Sequence, residues 1–292
     1  MQKSYKKWVP IFLAPVCVMF LFQYAIPLCT VVATSFTEYK LTAKGVTFIG
    51  LQNYIDLFTK DPTFVVALKN TAAWLVLHVF FHIAIGVMMA LILYRKPRGW
   101  KFVRTAYMSP NIIASSAIAL IWMQLYNAEY GLVNQFLGWI GLEQFQTNWL
   151  FNTDTAFWAV MMTWFLYAGY TCTLVLASLL SIPQDMFEAA KVEGANAFQV
   201  DWYIALPMAK ETIATTMIMG ATYMLTMFPL IYMTTNGGPG THTTNLALYL
   251  YKTAMLENNY GYANTMGVFI IILGIIIMQI INRLMKTNKG EA

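Results

Sequence analysis

The feature that most constrains this chain is a set of six long stretches without Asp, Glu, Lys or Arg. A helix needs roughly 20 consecutive apolar residues to cross the hydrocarbon core of a bilayer. The stretches cover residues 8–37, 70–94, 105–128, 155–184, 212–251 and 258–282. They are continuously apolar and lack the alternation of barrel strands, and a helix satisfies its own backbone hydrogen bonds in lipid. The sequence therefore predicts an all-α polytopic membrane protein.

The composition excludes several other classes of protein. The chain is 59% hydrophobic and 11% charged, whereas a soluble domain averages about 45–50% apolar and about 25% charged residues. A single soluble core could not bury so much apolar surface, and intrinsic disorder requires low hydrophobicity. Cys17, Cys29 and Cys172 lie far apart in the sequence, which supports neither a disulfide framework nor a zinc site.

We predict one transmembrane domain over residues 1–292 with six helices. The fifth stretch is too long for a single span because it contains a Gly-, Pro- and Thr-rich loop. The predicted spans are about 8–34, 70–93, 105–127, 156–180, 212–233 and 260–282. The first could instead be a signal peptide, but its apolar stretch is nearly twice as long as the roughly 7–15 residues of a signal h-region. Its three prolines also suit a kinked membrane helix.

The distribution of basic residues predicts the orientation. Of the 18 Lys and Arg residues, 13 fall on the side that holds both termini and the segments 95–104 and 185–211. The positive-inside rule places that side, and therefore both termini, in the cytoplasm. The net charge of +5 is thus a topology signal and gives no support to nucleic-acid binding.

Residues 181–211 form the longest predicted cytoplasmic segment and should fold as two short amphipathic helices. Pro183 can begin the first helix, Gly194 suits the left-handed residue after its end, and Leu206-Pro207 would end the second. A helix hairpin resting on lipid is the alternative. The segment has five acids and only two lysines. That balance favours a protein partner over a surface of anionic lipid.

The same segment resembles the EAA loop of binding-protein-dependent ABC importer permeases. Glu188-Ala189-Ala190, Gly194 and Ile204-Ala205-Leu206-Pro207 match the loop in residue type and spacing, with Glu193 where such permeases commonly have Asp. Further matches are SFTEYK at 35–40, FIGLQNYIDLF at 48–58, Arg104 with Pro110, and TTNGGPGTHT at 234–243. These resemble the sugar-importing permeases of the maltose and glycerol-3-phosphate type. Without a Gly/Ala-rich terminal motif, the chain resembles the first permease of such a pair.

The resemblance implies a type I ABC importer permease that moves a sugar or oligosaccharide into the cytoplasm. The implied partners are a second related permease, two cytoplasmic ABC ATPase subunits, an external sugar-binding protein and membrane lipid. The chain has no GxxxxGK[ST] phosphate loop. It would therefore be non-catalytic and hold no cofactor, with ATP and Mg bound by the partner ATPases. The implied location is a bacterial or archaeal cell (inner) membrane.

In the family that the chain resembles, the first helix of the loop is the coupling helix, seated in a cleft of the ATPase. The corresponding residues here are Met186, Phe187, Glu188, Ala189, Ala190, Gly194, Ile204, Leu206 and Pro207. Met186 and Phe187 could anchor an interface, and Glu188 offers a charge-assisted acceptor. Gly194 allows the chain to turn without a Cβ clash. The alternative is that these residues only cap and pack the loop.

A sugar path needs hydrogen-bonding groups and aromatic faces within the spans. The candidates are Gln124, Asn127, Trp164, Tyr167, Tyr170, Tyr223 and Asn264. The polar side chains are costly in lipid and should point inward or lie at an interface. The aromatic rings could stack on a pyranose, or they could only pack between helices and anchor at the membrane surface. On the outer face, Gly237-Gly238-Pro239 is a candidate contact for the external binding protein.

Three further hypotheses follow from the residues. His78 and His82 lie one helical turn apart and could bind a metal, but without a third ligand or an HExxH pattern interhelical hydrogen bonding is favoured. A self-contained secondary transporter would be expected to carry an acid or an ion site within its spans. The predicted spans contain no Asp or Glu. An intramembrane enzyme would need a catalytic pair, and none emerges from the sequence.

Overall fold

A computed structural model of the chain describes residues 2–42 and 45–285. Lys44, Lys286 and Lys289, which contribute to the charge argument, lie outside the described residues. The chain divides into two compact units, Met1–Asp61 with Leu250–Ile272 and Pro62–Tyr249 with Leu273–Ala292. Each unit is described by itself below.

Five helices in the described residues are long and apolar enough to cross a membrane. They are Phe12–Ser35, Pro62–Leu93, Ala156–Leu180, Lys210–Thr234 and Tyr260–Met285. A sixth candidate is a pair of helices, Trp100–Asn111 and Ser115–Leu125, which meet at an angle of 98°. This mostly helical membrane architecture agrees with the fold class predicted from the charge-free stretches. The bend itself falls inside the stretch 105–127, which the sequence predicted as one span.

The first unit is built around a long N-terminal helix and a short hairpin. The helix is continuous through Gln2–Phe20, a wider π turn at Leu21–Ala25, and Ile26–Ser35. Strands Thr37–Glu38 and Thr47–Phe48 pair antiparallel, and the helix Gln52–Thr59 follows them. Apolar side chains of the first helix, such as Phe12, Met19 and Phe22, are exposed. This surface suits lipid or another apolar protein surface.

Two of the sequence motifs meet in this hairpin. Asn53, from FIGLQNYIDLF, donates to the backbone oxygens of Ser35 and Thr37 in SFTEYK, at 3.0 Å each. The hydroxyl of Thr265 in the last helix also donates to Ser35 O, at 3.0 Å. Gly261 allows that helix to approach closely, because a Cβ there would lie 2.2 Å from Thr37 O. The motifs therefore build a hydrogen-bonded junction within the first unit.

The second unit contains most of the helices and large buried apolar clusters. Its helices before residue 181 are Pro62–Leu77, His78–His82 (π), Ile83–Leu93, Trp100–Met108, Ser109–Asn111 (3₁₀), Ser115–Leu125, Leu132–Trp139, Glu143–Phe145 (3₁₀), Ala156–Phe165 and Gly169–Leu180. The later helices are Gln184–Val192, Ala197–Val200, Asp201–Ala205 (π), Leu206–Met208, Lys210–Thr226 and Pro229–Thr234. The helices Leu246–Met255 and Tyr260–Met285 each contribute residues to both units.

Small residues allow two helices of the second unit to pack closely. The helix Ile83–Leu93 lies against Gly169–Leu180, and a Cβ on Gly86 would be only 2.7 Å from Thr171 Cβ. Ala90, one turn further on, is fully buried. A separate apolar cluster of the second unit is formed by large side chains, among them Trp74, Val160, Met224, Ile231 and Leu248. These contacts hold the helix bundle around the site described next.

The segment 181–211, named the coupling segment for its predicted role, differs from the predicted helix hairpin at one point. The second helix runs from Ala197 to Met208 and so ends one residue after Pro207, next to the predicted stop. The difference is a wider π turn at Asp201–Ala205, which the sequence did not predict. At its end, Leu206 N–H donates to Asp201 O.

Candidate functional site

A cavity of about 460 Å³ lies in the second unit, where four membrane helices lose regular α geometry. The irregular points are the π turn His78–His82, the bend at 112–114, the interruption at 166–168 and the break at 227–228. His78, Ile113, Tyr167 and Leu230, which lie at or beside these points, all line the cavity. Non-helical backbone at membrane depth is tolerated where it lines a cavity or is buried in protein. The breaks and the cavity therefore belong to one feature.

All four aromatic residues predicted for a sugar path meet at this cavity. Trp164, Tyr167 and Tyr170 come from the candidate span Ala156–Leu180, and Tyr223 comes from Lys210–Thr234. Tyr170 and Tyr223 are nearly half exposed, whereas Trp164 is buried. The cavity is thus lined by two open phenol rings and a buried indole. Such rings can supply apolar faces for a flat or cyclic solute.

The polar lining of the cavity is uncharged. Asn111, Ser115, Thr163, Thr171 and Thr216 contribute amide and hydroxyl groups to it. Two of these hydroxyls bond to their own helices, Thr163 to Val160 O at 2.6 Å and Thr216 to Ile213 O at 2.8 Å. The described lining residues include no Asp, Glu, Lys or Arg. The cavity is therefore suited to a neutral solute.

His78 and His82 form part of the cavity wall, which the sequence did not predict. Their rings stack with centroids 4.2 Å apart, and His82 Nδ1 donates to Phe165 O at 2.7 Å. His78 packs against Gly220, where a Cβ would lie 2.3 Å from His78 Nε2. Within the described residues, no three His, Cys, Asp or Glu side chains are grouped to hold a metal. The bond from His82 to a neighbouring helix agrees with the interhelical interpretation.

The three polar candidates for the path do not line this cavity. Gln124 accepts a hydrogen bond from Tyr130 Oη at 3.0 Å. Asn127 accepts from the backbone N–H groups of Glu129 and Tyr130, at 2.9 and 3.2 Å, and so caps a turn. Asn264 belongs to the first unit and donates to Thr34 Oγ1 at 2.7 Å. Each of these side chains therefore has a hydrogen-bond partner within its own unit.

The glycine-rich loop, residues 234–245, is folded tightly by hydroxyl and amide groups. Thr243 Oγ1 donates to Gly238 O at 2.8 Å and lies 2.6 Å from Thr235 Oγ1. Asn70 Nδ2 donates to the backbone oxygens of His242 and Thr244, at 2.8 Å each. Gly237 is consequently buried, whereas Gly238 and Pro239 are half-buried. The exposed surface of the loop is formed mainly by its neighbours Gly240, Thr241 and His242.

The first helix of the coupling segment, Gln184–Val192, ends as the sequence predicts. Gly194 has a φ of +80°, and Gly194 N–H donates to Lys191 O at 3.0 Å while Ala195 N–H donates to Ala190 O at 2.9 Å. This pair of bonds is a Schellman motif, which satisfies carbonyls at a helix end. Glycine is favoured here because its backbone adopts the left-handed conformation freely.

The candidate coupling residues differ in exposure. Met186, Glu188, Ala189, Gly194 and Pro207 are exposed, and Ala190, Ile204 and Leu206 are half-buried. Phe187 turns inward, with its ring centroid 5.9 Å from that of Tyr94, and packs against a buried cluster of the chain. Phe187 therefore attaches the helix to its own chain. Met186 remains as an outward-facing apolar side chain.

One acid of the segment has a partner within the chain, which the sequence argument missed. Asp201 accepts hydrogen bonds from Tyr94 Oη, at 2.8 Å, and from Arg95. It is therefore satisfied internally, and the count of acids facing a partner protein falls by one. No sequence signal reveals the pair, because the two ion-pair residues are 106 positions apart.

The bend at 112–114 does have a signal in the Ser109-Pro110-Asn111 triplet, since Ser, Pro and Asn favour turns.

The chain is similar to known proteins along nearly its whole length. The model of the family "Binding-protein-dependent transport system inner membrane component" matches residues 82–288. The probable ABC transporter permease protein YurN of Bacillus subtilis is 34% identical over 96% of this chain and 97% of its own length. The diacetylchitobiose uptake system permease protein NgcF of Streptomyces coelicolor is 30% identical over 96% of this chain and 84% of its own length.

A solved structure shares the fold. A chain of a bacterial alginate ABC transporter, crystallised with its alginate pentasaccharide-bound periplasmic protein, superposes with a TM-score of 0.83. The two chains are 23% identical, and the superposition covers 97% of this chain and 96% of the other. At this level of identity the likeness concerns the fold alone.

Proposed function

Because the chain belongs to the family of binding-protein-dependent transport system inner membrane components and is a permease subunit of an ABC importer, we propose that its solute is a sugar or oligosaccharide. The relative named for diacetylchitobiose uptake favours a saccharide. The observation that carries the proposal is the neutral cavity where Trp164, Tyr167, Tyr170 and Tyr223 meet. Pyranose rings combine apolar faces with hydroxyl edges, which aromatic and neutral polar side chains bind together.

The cavity suits a neutral saccharide in size and chemistry. Small-molecule sites commonly enclose about 300–1,000 Å³, and this cavity encloses about 460 Å³. Tyr170 and Tyr223 would stack on the sugar ring, while Asn111 and Ser115 would bond its hydroxyl groups. Trp164 would add a buried apolar face to the cavity wall. A charged sugar would find no opposite charge among the described lining residues.

The chain would work within a larger complex in a bacterial or archaeal cell membrane. Two cytoplasmic ATPase subunits would bind ATP and Mg, and this chain would hold no cofactor and catalyse no reaction. A second related permease and lipid would cover the exposed apolar face of the first helix, which includes Phe12 and Met19. The basic residues favour both termini in the cytoplasm. An external sugar-binding protein would meet the glycine-rich loop, mainly at Gly240, Thr241 and His242.

The coupling segment would transmit ATP-driven movement to the cavity. Met186, Glu188 and Ala189 present an exposed surface for the ATPase cleft, and Gly194 would turn the chain at the end of their helix. The two permeases would exchange between inward- and outward-facing states. A nucleotide can shift that exchange only through different affinities for the two states.

The proposal is tested by reconstituting the importer in proteoliposomes with its sugar-loaded binding protein. We expect ATP hydrolysis to rise when the loaded binding protein is added, and sugar uptake to require ATP. Tyr223→Ala and Tyr170→Ala should each lower uptake by about fivefold through loss of about 1 kcal/mol of stacking, whereas Tyr223→Phe should retain most of it. Trp139→Ala, at an exposed aromatic outside the cavity, is the matched control.

Two results would contradict the proposal. Uptake that continues without ATP and collapses with an ionophore would indicate a secondary transporter. Wild-type uptake by both alanine variants would remove the cavity from the sugar path.

A further inference from the structure

Asp201 lies in the second helix of the coupling segment and is held by the two residues that follow the helix Pro62–Leu93. Tyr94 Oη donates to Asp201 Oδ1 at 2.8 Å, and Arg95 donates to Asp201 Oδ2. Arg95 also donates to the backbone oxygen of Ala197 at 3.0 Å. The Asp201 side chain is only 17% exposed. Both of its carboxylate oxygens are therefore engaged at the edge of the protein.

The protonation of these partners makes the attachment durable. Burial raises the pKa of the Tyr94 phenol, which therefore keeps its donor proton in neutral and mildly alkaline solution. The hydrogen bond to Asp201 raises the pKa of the Arg95 guanidinium, which stays charged. Charge-assisted hydrogen bonds of this kind are among the stronger ones in proteins. We therefore treat Tyr94, Arg95 and Asp201 as one cluster, named the inner anchor.

The helix that begins at Pro62 and leads into the inner anchor passes the cavity and reaches the glycine-rich loop. It stays helical from Pro62 to Leu93 over 32 residues, with the π turn His78–His82 in its middle. Along it, His78 and His82 line the cavity, and Asn70 holds the backbone of the loop at His242 and Thr244. One helical span thus connects the coupling segment, the cavity wall and the loop.

We infer that Asp201 is a positioning residue of the transport cycle, which fixes the coupling segment to the helix Pro62–Leu93 so that movement of the segment displaces the cavity wall. The inference rests on the proposed function, in which the ATPase moves this segment. Without the inner anchor, the helical run Ala197–Met208 could shift while Pro62–Leu93 stays in place. ATP would then be hydrolysed with less solute moved. The segment is also attached by the contact of Phe187 with Tyr94 and by Ala205 and Ala209, which are buried in a cluster with Leu93, and the variants below leave these contacts intact.

The experiment uses the complete importer in proteoliposomes with its sugar-loaded binding protein, and measures solute molecules moved per ATP hydrolysed. In Asp201→Asn and Arg95→Gln, we expect the ATPase to co-purify and to hydrolyse ATP, while this ratio falls about threefold or more. Tyr94→Phe removes one hydrogen bond and should lower the ratio less. The charge reversal Arg95→Asp with Asp201→Arg should recover part of the loss. Arg98→Gln, an exposed arginine of the same loop, is the matched control and should keep the wild-type ratio.

The possible results separate this inference from the proposed function. A wild-type ratio in Asp201→Asn or Arg95→Gln would overturn the inference. If those variants fail to assemble, a wild-type ratio in Tyr94→Phe would overturn it as well. Equal losses of hydrolysis and transport in all three, with no recovery on charge reversal, would indicate a merely structural role and also overturn it. If the wild-type permease binds no ATPase or moves no sugar, the proposed function fails before any variant is compared.

Discussion

His82 Nδ1 lies 2.7 Å from the backbone oxygen of Phe165, so that an imidazole from one helix satisfies the last carbonyl of another. Phe165 is the final residue of Ala156–Phe165, directly before the interruption that Tyr167 shares with the cavity. The carbonyls in the last turn of a helix receive no hydrogen bond from within that helix and need another donor. The imidazole therefore stabilises a helix end that the cavity requires.

Removing this donor should destabilise the permease. In His82→Leu, the half-buried Phe165 carbonyl loses its partner, which should lower the free energy of unfolding by about 1 kcal/mol. His82→Asn should lose less, because its amide nitrogen can donate from nearly the same position as Nδ1. Denaturant or thermal unfolding of the purified protein in detergent measures both. A leucine variant as stable as the asparagine variant would show that the hydrogen bond contributes nothing.

The contact between Gly220 and His78 gives a second prediction. A methyl group at 220 would lie 2.3 Å from His78 Nε2, so Gly220→Ala must displace the buried imidazole and distort the cavity wall. We expect a loss of stability of about 1–3 kcal/mol together with reduced uptake. In the double variant with His78→Ala, the space vacated by the ring should accommodate the methyl group. The double variant should therefore lose less than the sum of the two single changes.

Gly274→Ala is the control for that pair, because its Cβ would meet its nearest atom, Leu225 Cδ1, at an ordinary 3.4 Å. Unfolding measurements on the four proteins of the cycle, with the control beside them, give the coupling energy. Strict additivity of Gly220→Ala and His78→Ala would contradict the predicted clash.

The membrane fold was predictable from the sequence, whereas the geometry of the cavity was only partly so. Charge-free stretches identify membrane helices because the cost of burying charge in lipid acts on each residue separately. The cavity depends on where helices bend, and the 98° bend follows a proline that could equally open a straight span. Trp164 and Tyr223 were singled out for their chemistry. Tertiary packing brings them together, and their spacing along the chain does not predict this.

The polar residues show the opposite limit of sequence reasoning. Asn127 and Asn264 are polar residues of the kind expected along a solute path, yet each bonds to a partner in its own unit. Asp201 reads in the sequence as a surface acid, but in the structure it binds Arg95. A side chain's polarity predicts that a partner exists. It does not distinguish a solute or a second protein from a residue of the same chain.

The glycine-rich loop allows a prediction from two threonines of different exposure. Thr243 is fully buried and bonds Gly238 O at 2.8 Å, whereas the neighbouring Thr241 is exposed. Thr243→Val keeps the shape of the side chain but removes this bond, at an expected cost of about 1–3 kcal/mol. Loosening the loop should also weaken the stimulation of ATP hydrolysis by the loaded binding protein.

Thr241→Val is the matched control, since it makes the same chemical change at the surface. It should leave stability unchanged within about 0.5 kcal/mol. Thermal unfolding compares the two variants, and a titration of binding protein against the ATPase rate compares Thr243→Val with the wild type. If Thr243→Val unfolds as Thr241→Val does and responds to binding protein as the wild type does, the hydroxyl network does not shape the loop.

The last prediction concerns the reason for glycine at 194. Its φ of +80° is unfavourable for side chains, but a Cβ there would meet nothing within 4 Å in this chain. The cost of substitution should therefore come from the backbone, about 1–2 kcal/mol for Ala, less for Asn and more for Val. Affinity of the permease for its ATPase, measured by titration in nanodiscs, should fall in the order Gly, Asn, Ala, Val. If Asn binds more weakly than Ala, side-chain volume decides, which would mean that the ATPase itself contacts position 194.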